Sequence, residues 1–171
     1  MASYSIRNKV IDDWIVPAVA GAAGIVGVAR EKPNTYDAPP AVKYNQGRQG
    51  HPFAWVYIDP TIPVEGNEIY LSADVLTPIG VAIEVAYRIE NQWSDSDIES
   101  RGEELAASVY RAVMKRVETD AANLPAGFVD ITVLGEPTIE PAPEDGFAVT
   151  TLGFQLIVQR SAYDLNQTRA A

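Results

Sequence analysis

Five carboxylates crowd one stretch of the chain: Asp95, Asp97, Glu99, Glu103 and Glu104. A hard cation takes that many oxygens, but a calcium loop also needs a glutamate at its twelfth position, and none stands there counted from Asp95 or Asp97. It reads instead as a helix start whose acids match the helix dipole. The one histidine, His51, stands between Gly50 and Pro52. Nucleophilic catalysis needs a histidine ordered by a carboxylate and touching a serine. No G-x-S-x-G elbow supplies that serine, so His51 reads as a loop residue. Gly21-Ala-Ala-Gly24-Ile-Val-Gly27 is glycine-rich, yet it lacks the spacing of a phosphate loop and follows a helix rather than a strand. Phe53, Trp55 and Tyr57 alternate at strand spacing. Aromatic packing on a sheet is the first reading, and a small ligand pocket near Trp55, Tyr57 and His51 is the alternative. The expectation is no catalytic residue, no cofactor and no metal site.

The chain has 171 residues, 47% apolar and 21% charged, with no cysteine and a net charge of −10. That suits one globular domain and excludes disulfides, zinc–cysteine sites and thiol chemistry. Thirteen basic residues against 23 acidic ones do not make a nucleic-acid groove, because phosphate binding needs clustered cations. Trp14–Ala29 carries no charge. It is shorter than a spanning helix, which needs about 20 apolar residues, and the acids Asp12 and Asp13 precede it where a signal peptide wants bases. A soluble, unprocessed protein with a buried helix and a short strand in this stretch is expected.

The elements that would position any site follow from periodicity. Ile6, Val10, Trp14 and Ala18 recur every fourth residue, which predicts a helix over Ser3–Ala20, capped by Ser3 or Ser5 and ended or kinked by Pro17. A short strand is predicted over Gly24–Arg30, then a locally basic loop over Glu31–Pro52, then a strand over Phe53–Asp59 buried on both faces or paired at its middle. Gly66-Asn67 is read as the turn of a hairpin between Thr61–Val64 and Ile69–Ala73. In Ile79–Glu90, Ile79, Val81, Ile83, Val85, Tyr87 and Ile89 share one face, and Gly80, Ala82, Glu84, Ala86, Arg88 and Glu90 share the other. Strict alternation implies an antiparallel strand with one wet or lightly covered face. Ser96 and Glu99 form a capping box for a helix to about Asp120, with Ile98, Leu105, Val109, Ala112, Val113 and Val117 as its apolar stripe. Two strands close the chain. In Phe128–Glu136, Val129, Ile131 and Val133 face one way. In Phe147–Arg160, Leu152, Phe154, Leu156 and Val158 face inward. The acidic Glu136–Asp145 reads as a connection, and Ser161–Ala171 as a tail. The expected fold class is α+β: an antiparallel or mixed sheet of about four to five strands with two main helices on one face, in a single domain over residues 1–171.

Residues 61–78 place Ile62, Val64, Ile69, Tyr70 and Leu71 outside any clear core element. Exposed apolar groups of this size mark a subunit interface, against the reading that they form a hairpin folded onto the domain. The predicted helix Ser3–Ala20, the alternating strand Ile79–Glu90, the helix Asp97–Asp120 directly after it and the pair Val129–Glu136 and Phe147–Arg160 together resemble the tail terminator (tail-completion) proteins of long-tailed bacteriophages. That resemblance implies a non-enzymatic virion subunit, made in the host cytoplasm and located at the head–tail junction. It would form a homohexameric ring, with a tail tube protein and a neck or head-completion protein as partners. DNA would pass through without specific binding, and no membrane would be involved. Another neck or tail-tube subunit of similar fold is the near alternative; a small ligand-binding module or enzyme is the distant one.

Overall fold

The computed structural model describes residues 6–30, 50–62, 69–71, 74–119, 126–142 and 146–161. The first helical segment runs as α1 (Ile6–Val10), a π-helical turn (Ile11–Ile15) and α2 (Val16–Ala20). Pro17 has no N–H to give, and its ring presses on the carbonyl four residues earlier. The segment widens just before it, and Val16 N–H reaches back to Ile11 O, as π-bulges allow. Val10, Trp14 and Ala18 are buried as the period predicts, and the wider turn adds Ile11, Ile15 and Val19. The predicted serine caps lie outside the described residues.

The strands are β1 (Gly27–Ala29), β2 (Phe53–Ile58), β3 (Ile69–Leu71), β4 (Asp74–Arg88), β5 (Phe128–Ala142) and β6 (Phe147–Ser161). They form one mixed sheet in the order β1-β2-β4-β6-β5, with β3 beside the start of β4. β1 and β2 are parallel, and every other pair is antiparallel. With the 25-residue helix α3 (Asp95–Thr119) this is an α+β fold. No helix among the described residues is long and apolar enough to cross a membrane.

Four expectations change in the structure. First, the hairpin is between β3 and β4, with Leu71 opposite Asp74. The Gly66-Asn67 turn lies outside the described residues. β4 therefore begins well before Ile79 and includes Pro78. Asp59 N–H donates to Gly80 O, so alternate β4 residues, Pro78 among them, turn their backbone groups toward the β2 and β3 side. Pro78 falls between Leu76, paired with β3, and Val81, paired with β2, where its missing donor interrupts neither ladder.

Second, the helix cap is Ser94 with Asp97 rather than Ser96 with Glu99. Asp97 N–H donates to Ser94 Oγ at 3.2 Å, and Asp97 Oδ2 accepts from Ser94 N–H at 2.8 Å. Ser94 N–H and, at 2.9 Å, the Ser94 hydroxyl both donate to Asp97 Oδ2 and hold that carboxyl below the usual carboxylate range. Third, β5 runs through the supposed connection to Ala142. Gly135, Glu136 and Pro137 stand opposite Leu152 alone, as a bulge between the pairs Leu134–Gly153 and Thr138–Thr151. A one-residue bulge at Val129 leaves that side chain 41% exposed and turns Phe128 inward with Ile131 and Val133. Both bulges are tolerated because β5 is an edge strand.

Fourth, the second face of the sheet is not wet at its centre. One buried cluster joins Val10, Ile11, Trp14 and Ile15 with Leu105, Val109 and Val113 of α3 and with Val56, Ile83, Val85, Tyr87, Phe154 and Leu156 of the strands. A separate cluster holds Phe53, Trp55, Tyr57, Ala82, Ala86 and Val149. The pairing explains it: Phe53 lies opposite Ala86, and Tyr57 opposite Ala82. Small β4 side chains leave room for β2 aromatics, which cover the face themselves.

Candidate functional site

The structure disperses the residues singled out for chemistry. Gly21 ends α2, its N–H donating to Pro17 O and Ala18 O. Gly24 takes φ +87° close to Leu105, and Ser108 Oγ donates to Ala23 O at 2.7 Å. The glycine run is thus a helix exit pinned to α3. His51 is half-buried with its ring 4.8 Å from that of Phe147, and Phe147 also lies under the Arg88 guanidinium at 5.3 Å. Trp55 is fully buried and Tyr57 is 7% exposed, with the Phe53 and Trp55 rings 4.9 Å apart. These aromatics fill the second cluster. Among the described residues no group of three or more His, Asp or Glu could hold a metal ion.

The interface candidates divide three ways. Ile62 is half-buried and packs on the second cluster, so tightly over Gly80 that a Cβ there would meet Ile62 Cβ at 2.8 Å. Ile69, Tyr70 and Leu71 form β3, whose backbone alone is described, and pair with β4. Val64 lies outside the described residues.

Two clefts lie where α3 meets β5. One of about 230 Å³ is lined by Asp95, Ile98, Glu99, Ile139 and Pro141. The other, of about 410 Å³, has Glu103, Ala106, Ala107 and Tyr110 on its helix side and Val133, Gly135, Glu136 and Pro137 on its strand side. Both have apolar floors and carboxylate rims, so the groove suits a cationic or apolar surface and repels phosphate. Sequence reading missed it. Gly135-Glu-Pro137 looked like a connection, and Tyr110, 38% exposed, stood outside the apolar stripe. The signal was available only as an aromatic on the polar side of an amphipathic helix.

The wall between the clefts is closely packed. Tyr87 Oη donates to Ile98 O at 2.7 Å, and Gly102 lets helix and sheet approach so closely that a Cβ would meet Tyr87 Oη at 2.7 Å and Ile139 Cδ1 at 2.9 Å. Burial pushes the Tyr87 hydroxyl up to about 12, against a smaller pull downward from the Arg101 guanidinium. The unfolded chain releases this proton near pH 10. Stability present below pH 10 is therefore lost as the pH rises to 12, because the unfolded state then binds fewer protons than the folded one. The loss is on the order of 2 kcal/mol. In an ultraviolet titration one of the eight tyrosines should ionise last, and Tyr87→Phe should remove both that step and its share of the alkaline destabilisation.

Compared with protein-family models and with curated proteins, the chain matches no family and no curated sequence.

Proposed function

We propose that the protein is a structural virion subunit, a tail terminator that closes into a homohexameric ring on the end of a tail tube. The observation that carries this reading is the order of elements around the mixed sheet. A helical segment precedes the first strand, the long β4 runs almost directly into α3, and the antiparallel β5–β6 pair completes the sheet. In this reading both helical segments cover one face of the sheet, and the aromatic face is turned away from them. The segments 31–52 and 61–78 supply the head-to-tail contacts whose rotation closes a ring. One face of the ring caps the tube, and the other meets a neck or head-completion protein. The subunit has no catalytic activity, and its place is the head–tail junction.

The charge supports a conduit. Six copies at −10 each carry about −60 in formal charge, so DNA in the lumen is repelled rather than held. Negative-stain images of the purified protein should show a ring with a central hole, and the protein should bind isolated tail-tube subunits. A lone monomer at high concentration, with no affinity for a tube or neck component, would overturn this function.

A further inference from the structure

The exposed face of α3 carries a charge pattern that the helix does not use internally. Glu99 and Glu103 stand one turn apart on it, and so do Arg111 and Lys115, all four exposed. Like charges at i,i+4 weaken a helix. A helix stabilised from within alternates the signs, as Arg101 and Glu104 do at 3.0 Å. The helix dipole accounts for acids in the first turn and cations in the last. It does not extend to Glu99, Glu103 or Arg111. Nearby charges are already engaged, Asp97 in the cap and Arg116 over the Trp14 ring at 5.8 Å. Among the described residues no ion pair involves Glu99, Glu103, Arg111 or Lys115.

The pattern has a centre. Glu103 and Arg111 are equidistant from Ala107 along the chain, and so are Glu99 and Lys115. A second α3 laid antiparallel across the first at Ala107 sets Glu103 against Arg111 and Glu99 against Lys115, each pair formed twice. A parallel helix would set like against like. Ala107 is small and half-buried, so the axes can approach closely at the crossing. Tyr110 and the half-buried Met114 give apolar cover beside it. The four charges and Ala107 lie on one i±4 row, and two such rows pack along each other at a crossing of about 50°, which keeps side chains two turns from the centre within reach. Opposed dipoles favour the same orientation. Copies carrying −10 each repel one another, so association needs such a local match of opposite signs.

We infer that this face of α3 is a two-fold docking surface for a second copy of the chain, with Ala107 on the axis. The contact is isologous, hence separate from the head-to-tail contact of a ring, and it does not depend on the tail-terminator reading. Sedimentation velocity at low salt tests it. The wild type should associate, and 1 M salt should dissociate the contact, because the Debye length is then about 3 Å. Glu99→Lys with Glu103→Lys, and separately Arg111→Glu with Lys115→Glu, should each weaken association at least tenfold. An equimolar mixture of the two variants should restore it. A thiol gives a second readout in a chain without cysteine. Oxidised Ala107→Cys should form a disulfide-linked dimer, whereas Ser96→Cys, whose two-fold partner is Glu118, should not. Equal crosslinking of the two thiol variants, or undiminished association of the lysine variant, would overturn the contact. A two-fold dimer without a ring would overturn only the terminator reading. A ring undisturbed by all these changes would overturn only this contact.

Discussion

Trp55→Ala is expected to cost about 3–5 kcal/mol of folding stability and to lower Tm by about 10 °C or more. The side chain is fully buried, on a strand held between β1 and β4. Its ring is tilted against that of Phe53, 4.9 Å away at 57°, in a cluster whose other members include Ala82 and Ala86. Alanines have no longer side chain to swing into the space, so the cavity stays open and its full cost is felt. Urea unfolding with the slope unchanged would measure the loss as a shift in midpoint. The same experiment separates packing from recognition. If Trp55, Tyr57 and His51 lined a ligand pocket, the alanine variant would keep its stability and lose a ligand-induced thermal shift instead.

The elements that could be read from the sequence are those where one period runs long. Ile79 to Tyr87 alternates without a break, and every odd position proves buried. Ile98, Leu105, Val109 and Val113 fix α3 in the same way. Local signals that compete are harder to resolve. Ser94-x-x-Asp97 and Ser96-x-x-Glu99 are both capping boxes on paper, and only the tertiary path of the chain lets Ser94 close first. Gly135 and Pro137 signal a break, but an edge strand with one free side absorbs them as a bulge. The covered second face was hidden for a different reason. Gly80, Ala82 and Ala86 look like the light side of a half-wet strand until register puts aromatics opposite two of them.

The groove between α3 and β5 was the least legible feature. Its helix wall and its strand wall are separated in sequence, and the strand wall depends on a bulge that periodicity does not encode. What was legible is the charge on α3. The dipole explains the ends of that helix, but the signs at Glu103 and Arg111 gain meaning only when the exposed face is known.

Arg30→Ala is expected to cost about 3 kcal/mol, because one guanidinium closes the seam between the first helical segment and the sheet. Its Nε donates to Asp12 Oδ1 at 2.6 Å, its Nη1 to Val56 O at 2.9 Å and its Nη2 to Asn8 Oδ1 at 2.9 Å. The middle bond follows from register. Odd β2 residues turn their backbone groups to β4, as the Asp59–Gly80 bond requires, so Val56 O points to the β1 side. β1 ends at Ala29, opposite Trp55, and the Arg30 side chain takes over where the strand stops. Truncation leaves a carboxylate and a main-chain carbonyl, both part-buried, without that donor. Asp12→Asn should cost less, since the amide oxygen can still accept from Arg30 Nε and only the charge of that bond is lost. Arg30→Lys should recover less than half of the loss, because an ammonium is a point donor and cannot span three acceptors in a fixed fork. Thermal melts of the three variants at one pH would rank them. A lysine variant as stable as the wild type would mean that charge alone, and not the fork, holds this seam.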